Sequence, residues 1–398
     1  MKAVTRNYVL LAVANTTSLM GNWVFKLVTI YLLWHMTKSA FVTSLMAVAE
    51  FVPNMLFGPI GGALADKVQL IRANTILNTL LAFNSFVVAG LLSLGLDDAR
   101  VVQGLLILTA VNSGLGALNR STNQKIVGFA FSKDEIKHAL SINSLSFNMT
   151  KFMAPLLTGL VIYGQWYSFA YSFNALSFFA WVYSGYAYSY HRKPVHECEQ
   201  RQSIWRDITG ALSYVRRDQN LFFLLTMVVF ATVFSRSIFD MLPVLTEYLM
   251  HTDSENFVYI SASLGLFSIF AGLVNSRVSN GSIQMPLICS VIAMVLISAN
   301  IFFSNFLAAI VLLGLGSFFF VLSGINTITY IHVNCDESQK GKVIGLYYLA
   351  LTGGASIGMM LYGVFVELDV KLWIWCLSLI GLVCLLAYPK PANTLKEV

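Results

Sequence analysis

Residues 306–331, FLAAIVLLGLGSFFFVLSGINTITYI, carry no charged side chain and are long enough to cross a bilayer as a helix, which takes about 20 residues. The rest of the chain has the same character. Hydrophobic residues make up 57% of its 398 residues, and charged residues make up 11%, against about 25% in ordinary soluble domains. This number of charged side chains is too small to cover a surface that faces water. The sequence therefore predicts an integral membrane protein.

Long apolar stretches recur along the chain and give twelve predicted spans. They lie near 8–34, 41–63, 71–96, 101–119, 139–163, 167–190, 221–246, 256–276, 283–303, 306–331, 341–365 and 371–389. These runs are continuous and too long for transmembrane β-strands, which show about ten residues of alternating polarity. The first span contains Asn15, Asn22 and Lys26 and is too long for a cleavable signal peptide. We therefore expect an all-α integral membrane protein.

The basic residues predict how these spans are oriented. If the N-terminus is cytoplasmic, only three of the 25 Lys and Arg residues fall in outer loops, namely Lys38, Arg100 and Lys371. This bias toward one side is typical of cytoplasmic loops, and it places both termini in the cytoplasm. We expect the chain to lie in a bacterial inner membrane. The outer loops carry acids instead, among them Glu247 and Glu255. The bases form no single patch, so we expect no nucleic-acid partner.

The longest polar stretch divides the chain into two sets of six spans. It lies at 191–220 and separates a predicted bundle at 1–190 from a second bundle at 221–398. Apolar residues recur within it at helical spacing: Ile204, Trp205, Ile208, Leu212 and Val215. This pattern favours an amphipathic helix on the inner leaflet, and a solvated linker helix is the alternative.

The end of the second span carries a recognisable motif. Residues 62–67, GALADK, resemble the G-x-L-A-D-R/K loop motif of the major facilitator superfamily. The resemblance implies two pseudo-symmetric six-helix bundles with a substrate site between them near the midplane. It also implies a cytoplasmic latch formed by Gly62, Asp66 and Lys67 together with Arg120 of the fourth span. In physical terms, glycine lets a neighbouring helix approach closely, and a carboxylate accepts hydrogen bonds from a helix N-terminus.

Two longer segments resemble one branch of that superfamily. Residues 139–148, ALSINSLSFN, are similar to its fifth span, and residues 341–347, GKVIGLY, are similar to its eleventh. The branch contains the enterobactin exporter and the macrolide-efflux proteins. Its first span usually carries Gly-Asp-Trp, where this chain has Asn22 in place of the acid. The resemblance implies proton-driven export of a small molecule and leaves the identity of that molecule open.

Five ionisable residues lie well inside the predicted spans: Lys26, Glu50, Lys151, Arg236 and Asp240. Each costs about 2.5–3.5 kcal/mol to insert into lipid, so such residues usually face the interior of the bundle. The resemblance implies that all five lie on helices that line or flank the central cavity. Their charges sum to a net positive value, which favours an anionic substrate.

We assign roles to these residues as hypotheses. The predicted substrate-binding residues are Lys26, Lys151, Arg236, Asn22 and Asn148. The predicted proton-coupling residues are Glu50 and Asp240. The alternative is that these charges form fixed structural pairs, because Arg236 and Asp240 are spaced i, i+4 on one helix and Glu50 is available to Lys26.

The sequence therefore predicts a secondary transporter that exports a small organic anion, such as a polycarboxylate siderophore, by alternating access with a proton exchanged across the membrane. Two alternatives stay open: a multidrug or macrolide exporter, and an importer of the same fold. The chain lacks a phosphate-binding loop and the common hydrolase motifs, and its five cysteines follow no metal-binding spacing. We expect no enzymatic activity, no cofactor beyond the proton gradient, and a monomer embedded in lipid.

Overall fold

The computed structural model describes residues 2–67, 69–131, 136–189, 204–248, 250–278, 281–300 and 305–386. The first helices are α1 (Lys2–Thr37), α2 (Ala40–Lys67), α3 (Leu70–Leu91), α4 (Asp98–Ala130), α5 (Ile136–Tyr163) and α6 (Tyr167–Ser189). The later ones are α7 (Ile204–Arg217), α8 (Gln219–Ala231), a π-helical turn (Thr232–Arg236), α9 (Ser237–Asp240), α10 (Leu242–Tyr248), a 3₁₀ turn (Ser254–Asn256), α11 (Phe257–Val278), α12 (Gln284–Ala299), α13 (Phe306–Asn334) and α14 (Glu337–Leu386). The predicted all-α fold is confirmed for these ranges.

Seven helices within the described ranges are long and apolar enough to cross a membrane. They are Ala40–Gly58, Leu70–Leu91, Asp98–Val127, Gln219–Asp240, Phe257–Asn275, Phe306–Asn334 and Gln339–Val366. Two shorter apolar helices, Met149–Tyr163 and Gln284–Ala299, accompany them. The chain is thus a multi-pass membrane protein, and the count of twelve spans stays a prediction.

The predicted break between the last two spans is absent from the structure. The spans at 341–365 and 371–389 were expected to be joined by an outer loop, whereas α14 continues as one helix to Leu386. No glycine or proline lies between Val364 and Lys371, so the local sequence contains nothing that ends a helix.

The helices form two compact units. One contains Met1–Gln200 and Met241–Leu266, and the other contains Arg201–Asp240 and Phe267–Val398. Each of these units combines two separate stretches of the chain, whereas the predicted division into 1–190, 191–220 and 221–398 uses continuous stretches. That division stays a prediction.

Buried asparagines connect the helices of the first unit. Asn78 of α3 and Asn119 of α4 exchange amide hydrogen bonds, at 3.2 Å and 2.9 Å. Asn74, one turn before Asn78, donates to the backbone carbonyl of Trp181 in α6 at 3.0 Å. All three asparagines are buried. Amide pairs of this kind hold helices together where lipid offers no other hydrogen-bond partner.

The linker helix packs on the second unit. Val215 of α7 is buried in a cluster that includes Leu221 and Leu224 of α8, whereas Leu212 is exposed. The hydroxyl of Tyr214 accepts a hydrogen bond from the backbone N–H of Asp336 at 3.3 Å. Part of the apolar face predicted for this helix therefore packs on other helices of the protein. The position of the helix on the inner leaflet stays a prediction.

A π-helical turn interrupts the helix that begins at Gln219. The backbone N–H of Ser237 donates to the carbonyl of Thr232, five residues earlier, and the Thr232 hydroxyl donates to the carbonyl of Ala350 in α14 at 3.1 Å. Two glycines of α14 pack directly on this turn, with Gly354 against Thr232 and Gly358 against the carbonyl of Val233. The GxxxG spacing thus lets α14 approach the π-turn more closely than any side chain would allow.

Candidate functional site

Two of the charges predicted inside the membrane form an ion pair in the first unit. The Lys26 ammonium on α1 lies 2.8 Å from the Glu50 carboxylate on α2, and the two side chains are 22% and 33% exposed. The Ser113 hydroxyl on α4 donates to the backbone carbonyl of Glu50. This contact ties α4 to α2 beside the pair. The charges are therefore matched, and neither side chain is fully buried.

Asn22 lies one helical turn before Lys26 and shares its face of α1. Its amide nitrogen donates to the carbonyl of Ser18 at 2.8 Å. The neighbouring Gly21 packs closely against Asn174 of α6. A Cβ atom at position 21 would lie only 2.6 Å from the Asn174 side-chain oxygen. The helix that carries both predicted binding residues is thus held close to α6.

Lys151 has an aromatic partner on its own helix. Its ammonium lies 4.5 Å from the centroid of the Phe147 ring, which is a cation–π contact. Phe147 precedes Lys151 by one helical turn, so the i, i+4 spacing is a signal that our sequence analysis overlooked. The backbone of α5 at Lys151 also packs directly on Gly265 of α11. The side chain of Asn148 lies outside the described residues.

The remaining pair lies in the second unit, where Arg236 is the last residue of the π-turn and Asp240 is the last residue of α9. The Arg236 guanidinium lies 3.3 Å from the Asp240 carboxylate, with the side chains 26% and 12% exposed. The predicted i, i+4 contact is therefore present. Among the contacts of the described residues, the five charges thus form two ion pairs and one cation–π contact, distributed over both units.

The predicted cytoplasmic latch is described only in part. Gly62, Asp66 and Lys67 lie on the last turns of α2, and their side chains lie outside the described residues. Arg120 lies on α4 with its side chain exposed. The latch stays a prediction. Across the described ranges, no group of three or more His, Cys, Asp or Glu side chains is placed to hold a metal ion.

The sequence of residues 4–390 matches the family described as transmembrane secretion effector. No match is found among curated proteins. The fold is similar to a bacterial homologue of the iron transporter ferroportin in an inward-facing state, with a TM-score of 0.70 and 14% identity over 96% of this chain and 97% of that chain.

Two other solved transporters share the fold. A POT family transporter in complex with a thioalcohol-conjugated peptide gives a TM-score of 0.68 and 12% identity, covering 96% of this chain and 95% of the other. The nucleoside transporter NupG gives a TM-score of 0.63 and 14% identity, covering 97% of this chain and 98% of the other. These identities are low, so the likeness concerns the fold. With a family match over almost its whole length, the chain belongs to the transmembrane secretion effector family and is a transporter of the major facilitator fold.

Proposed function

We propose that this transporter secretes a small organic anion by alternating access, with Glu50 as the proton site and Lys26 as the anion site. The observation that carries the proposal is the 2.8 Å pair between these two oppositely charged side chains within the predicted spans, neither of which is fully buried. The net positive charge of the five residues within the predicted spans supports an anionic substrate. Lys151 and Arg236 are further candidate anion-binding residues in the same proposal.

The pair couples the substrate to the proton by competition. Lys26 does not bind Glu50 and a substrate carboxylate equally well at the same time. Protonating Glu50 removes its charge and frees Lys26 for the substrate. Because coupling between two sites is reciprocal, a bound anion also favours the proton on Glu50.

We propose a coupling that differs from the proton exchange expected from the sequence. The anion and the proton bind together, so they cross in the same direction and are not exchanged. A polycarboxylate carrying one proton still has a net negative charge. A membrane potential that is negative inside drives such a species outward, at about 2.3 kcal/mol per charge per 100 mV. We infer that the substrate carries at least two negative charges.

The resemblance to the enterobactin-exporter branch supports a siderophore as the substrate, and the net positive charge of the five residues supports a polycarboxylate. The predicted distribution of basic loops supports a place in the bacterial inner membrane with both termini inside. We also propose that the protein acts as a monomer, as expected for two bundles within one chain.

The second candidate function is export of a lipophilic cation, and the accessible carboxylate of Glu50 favours it. A cation would displace Lys26 and compete with the proton for Glu50, which gives exchange of substrate for proton. The two candidates therefore predict opposite effects of pH on substrate binding.

The test is a thermal-shift titration of purified protein at several pH values, with a polycarboxylate siderophore, a catecholate siderophore, a macrolide and a cationic dye. We expect the polycarboxylate to bind more tightly as the pH falls. In Glu50→Gln, which mimics the protonated state, we expect tight binding at every pH. Lys26→Met should lower the affinity at least about tenfold, the loss of one charge-assisted contact.

Asp97→Asn is the matched control, because it removes an exposed carboxylate whose partner is Arg100 at 3.1 Å. It should keep the pH dependence of the wild type. The anion proposal would be refuted if the wild-type affinity for the polycarboxylate did not change with pH. It would also be refuted if Lys26→Met bound the polycarboxylate as tightly as the wild type. Affinity for the dye that falls with falling pH, and is lost in Glu50→Gln, would establish the cation exporter instead.

A further inference from the structure

A cavity of about 20 Å³ lies inside the second unit, and its wall carries four hydroxyl groups. The hydroxyls belong to Thr232 in the π-turn, Ser290 in α12, Ser323 in α13 and Tyr347 in α14. None of the described residues that line the cavity is charged. A cavity of about 10–15 Å³ is large enough for one water molecule. The size and the neutral, hydroxyl-bearing wall therefore suit a water molecule, whereas a buried ion would need an opposite charge.

The Tyr347 hydroxyl is the donor in this wall that has no partner. Tyr347 is 4% exposed, and no other residue in the described part of the chain forms a hydrogen bond with its hydroxyl. The hydroxyl lies over Gly324 of α13, where a Cβ atom would come within 2.9 Å of the hydroxyl oxygen. Because Gly324 lines the same cavity, the hydroxyl lies at the cavity wall. A buried hydroxyl that stays unpaired destabilises the fold, so a ligand that accepts its hydrogen is favoured there.

The hydrogen bonds of the two serines leave Ser290 able to accept. Ser323 donates its hydroxyl hydrogen to the carbonyl of Pro286 at 2.8 Å, because a carbonyl only accepts. The 2.7 Å contact between the two serine hydroxyls then requires Ser290 to be the donor. A serine hydroxyl has one hydrogen and two lone pairs, so Ser290 has used its hydrogen and keeps its lone pairs. Ser290 is therefore an acceptor for a ligand in the cavity.

The Thr232 hydroxyl is a second acceptor in the wall. Its single hydrogen lies among three backbone carbonyls, those of Val228 and Val229 at 2.9 Å and that of Ala350 at 3.1 Å. With its hydrogen used in this way, the hydroxyl oxygen has only lone pairs to offer to a ligand. Thr232 is 1% exposed, so bulk solvent does not satisfy these lone pairs.

We propose that the cavity binds one water molecule, which accepts a hydrogen bond from Tyr347 and donates to Ser290 and Thr232. The wall offers one donor and two acceptors, and water supplies the complementary set because it has two hydrogens and an accepting oxygen. About three hydrogen bonds are usual for a buried water. The water joins α14, α12 and the π-turn at one point. Since Thr232 begins the π-turn and Arg236 ends it, the water helps to hold the turn that carries a candidate anion-binding residue.

The test compares Tyr347→Phe with Tyr362→Phe by thermal unfolding in detergent. Tyr362 is also a buried residue of α14, and its hydroxyl has no partner in the described ranges, but it does not line the cavity. Removing a paired buried hydroxyl is destabilising, whereas removing an unpaired one is neutral or stabilising. We expect Tyr347→Phe to lower the thermal midpoint by about 2–4 °C, the effect of one lost hydrogen bond. Tyr362→Phe should leave the midpoint unchanged or raise it.

A crystal structure of the wild type that shows ordered water is the direct measurement. We expect a density peak in the cavity within about 3.2 Å of the Tyr347 hydroxyl oxygen, and a weaker peak in Tyr347→Phe and in Ser290→Ala. The water site is wrong if the wild-type cavity shows no peak. It is also wrong if Tyr347→Phe raises the midpoint, because the Tyr347 hydroxyl is then unpaired in a dry cavity. Neither measurement needs a substrate or a proton gradient, so both are independent of the test of Glu50.

Discussion

Gly358→Ala is expected to destabilise the second unit strongly. A Cβ atom at this position would overlap the backbone carbonyl of Val233 in the π-turn. That carbonyl also accepts the Ser237 hydroxyl at 2.7 Å, so it has little freedom to move aside. Inserting an extra methyl group into a packed interior typically lowers the free energy of unfolding by about 1–3 kcal/mol. We expect the loss here to lie at or above the upper end of that range, because the new methyl group meets backbone atoms. We expect a lower thermal midpoint in detergent and a smaller yield of monodisperse protein.

Gly345→Ala, on the same helix, is the control for this substitution. No atom outside its own helix backbone lies within 4 Å of a Cβ atom built at Gly345. Alanine is also favoured over glycine in a helix by about 1 kcal/mol. The thermal midpoint of Gly345→Ala should therefore equal or exceed that of the wild type. Equal midpoints for the two alanine variants would show that α14 does not pack on the π-turn as described.

Gly265→Ala is expected to impair transport by displacing Lys151. A Cβ atom on Gly265 would lie 2.5 Å from the Lys151 carbonyl oxygen and 2.7 Å from the Phe152 Cα atom. Both contacts are backbone atoms, so α5 has to shift as a whole. A displacement of about 1 Å at a binding group can cost about 100-fold in rate, so we expect transport per folded molecule to fall about 10- to 100-fold.

Gly272→Ala tests whether this loss is specific, because it lies on the same helix and a Cβ atom there would meet nothing within 4 Å. Its transport rate should match that of the wild type. Since Lys26 and Glu50 lie on other helices, the pH dependence of binding should survive in Gly265→Ala. Normal transport by Gly265→Ala would remove Lys151 from the substrate path.

Composition and local spacing were enough to predict the helical membrane fold and one of the contacts. Apolar runs predict spans because lipid allows little else, and the i, i+4 spacing predicts the pair of Arg236 and Asp240. The sequence also indicated that Lys26 and Glu50 could pair. It did not distinguish a fixed structural ion pair from a pair in which Glu50 is the proton site. Hydropathy also placed a loop near Lys371, where the structure continues α14.

Contacts between distant parts of the chain were beyond local reasoning. Lys38 pairs with Glu247, which lies 209 residues further along the chain, and only their common assignment to the outer side could be predicted. The close packing of α5 on Gly265 depends on the backbone path of two helices, which no spacing reveals. Glycine inside a span is equally compatible with lipid contact and with helix contact, so the glycines alone did not identify which helices meet.

The π-turn has a consequence for anyone who aligns this chain with its relatives. A π-turn contains one residue more than a turn of α-helix, so each residue after it is rotated by about 100° from the direction that an uninterrupted helix would give it. Suppose that a relative has a regular helix in this segment. In space, Asp240 then superimposes on the residue of the relative that an ungapped alignment pairs with the residue before Asp240. A one-residue gap within Thr232–Arg236 is therefore needed before roles are transferred to or from this segment. Without that gap, a mutagenesis study would change the neighbour of the intended residue.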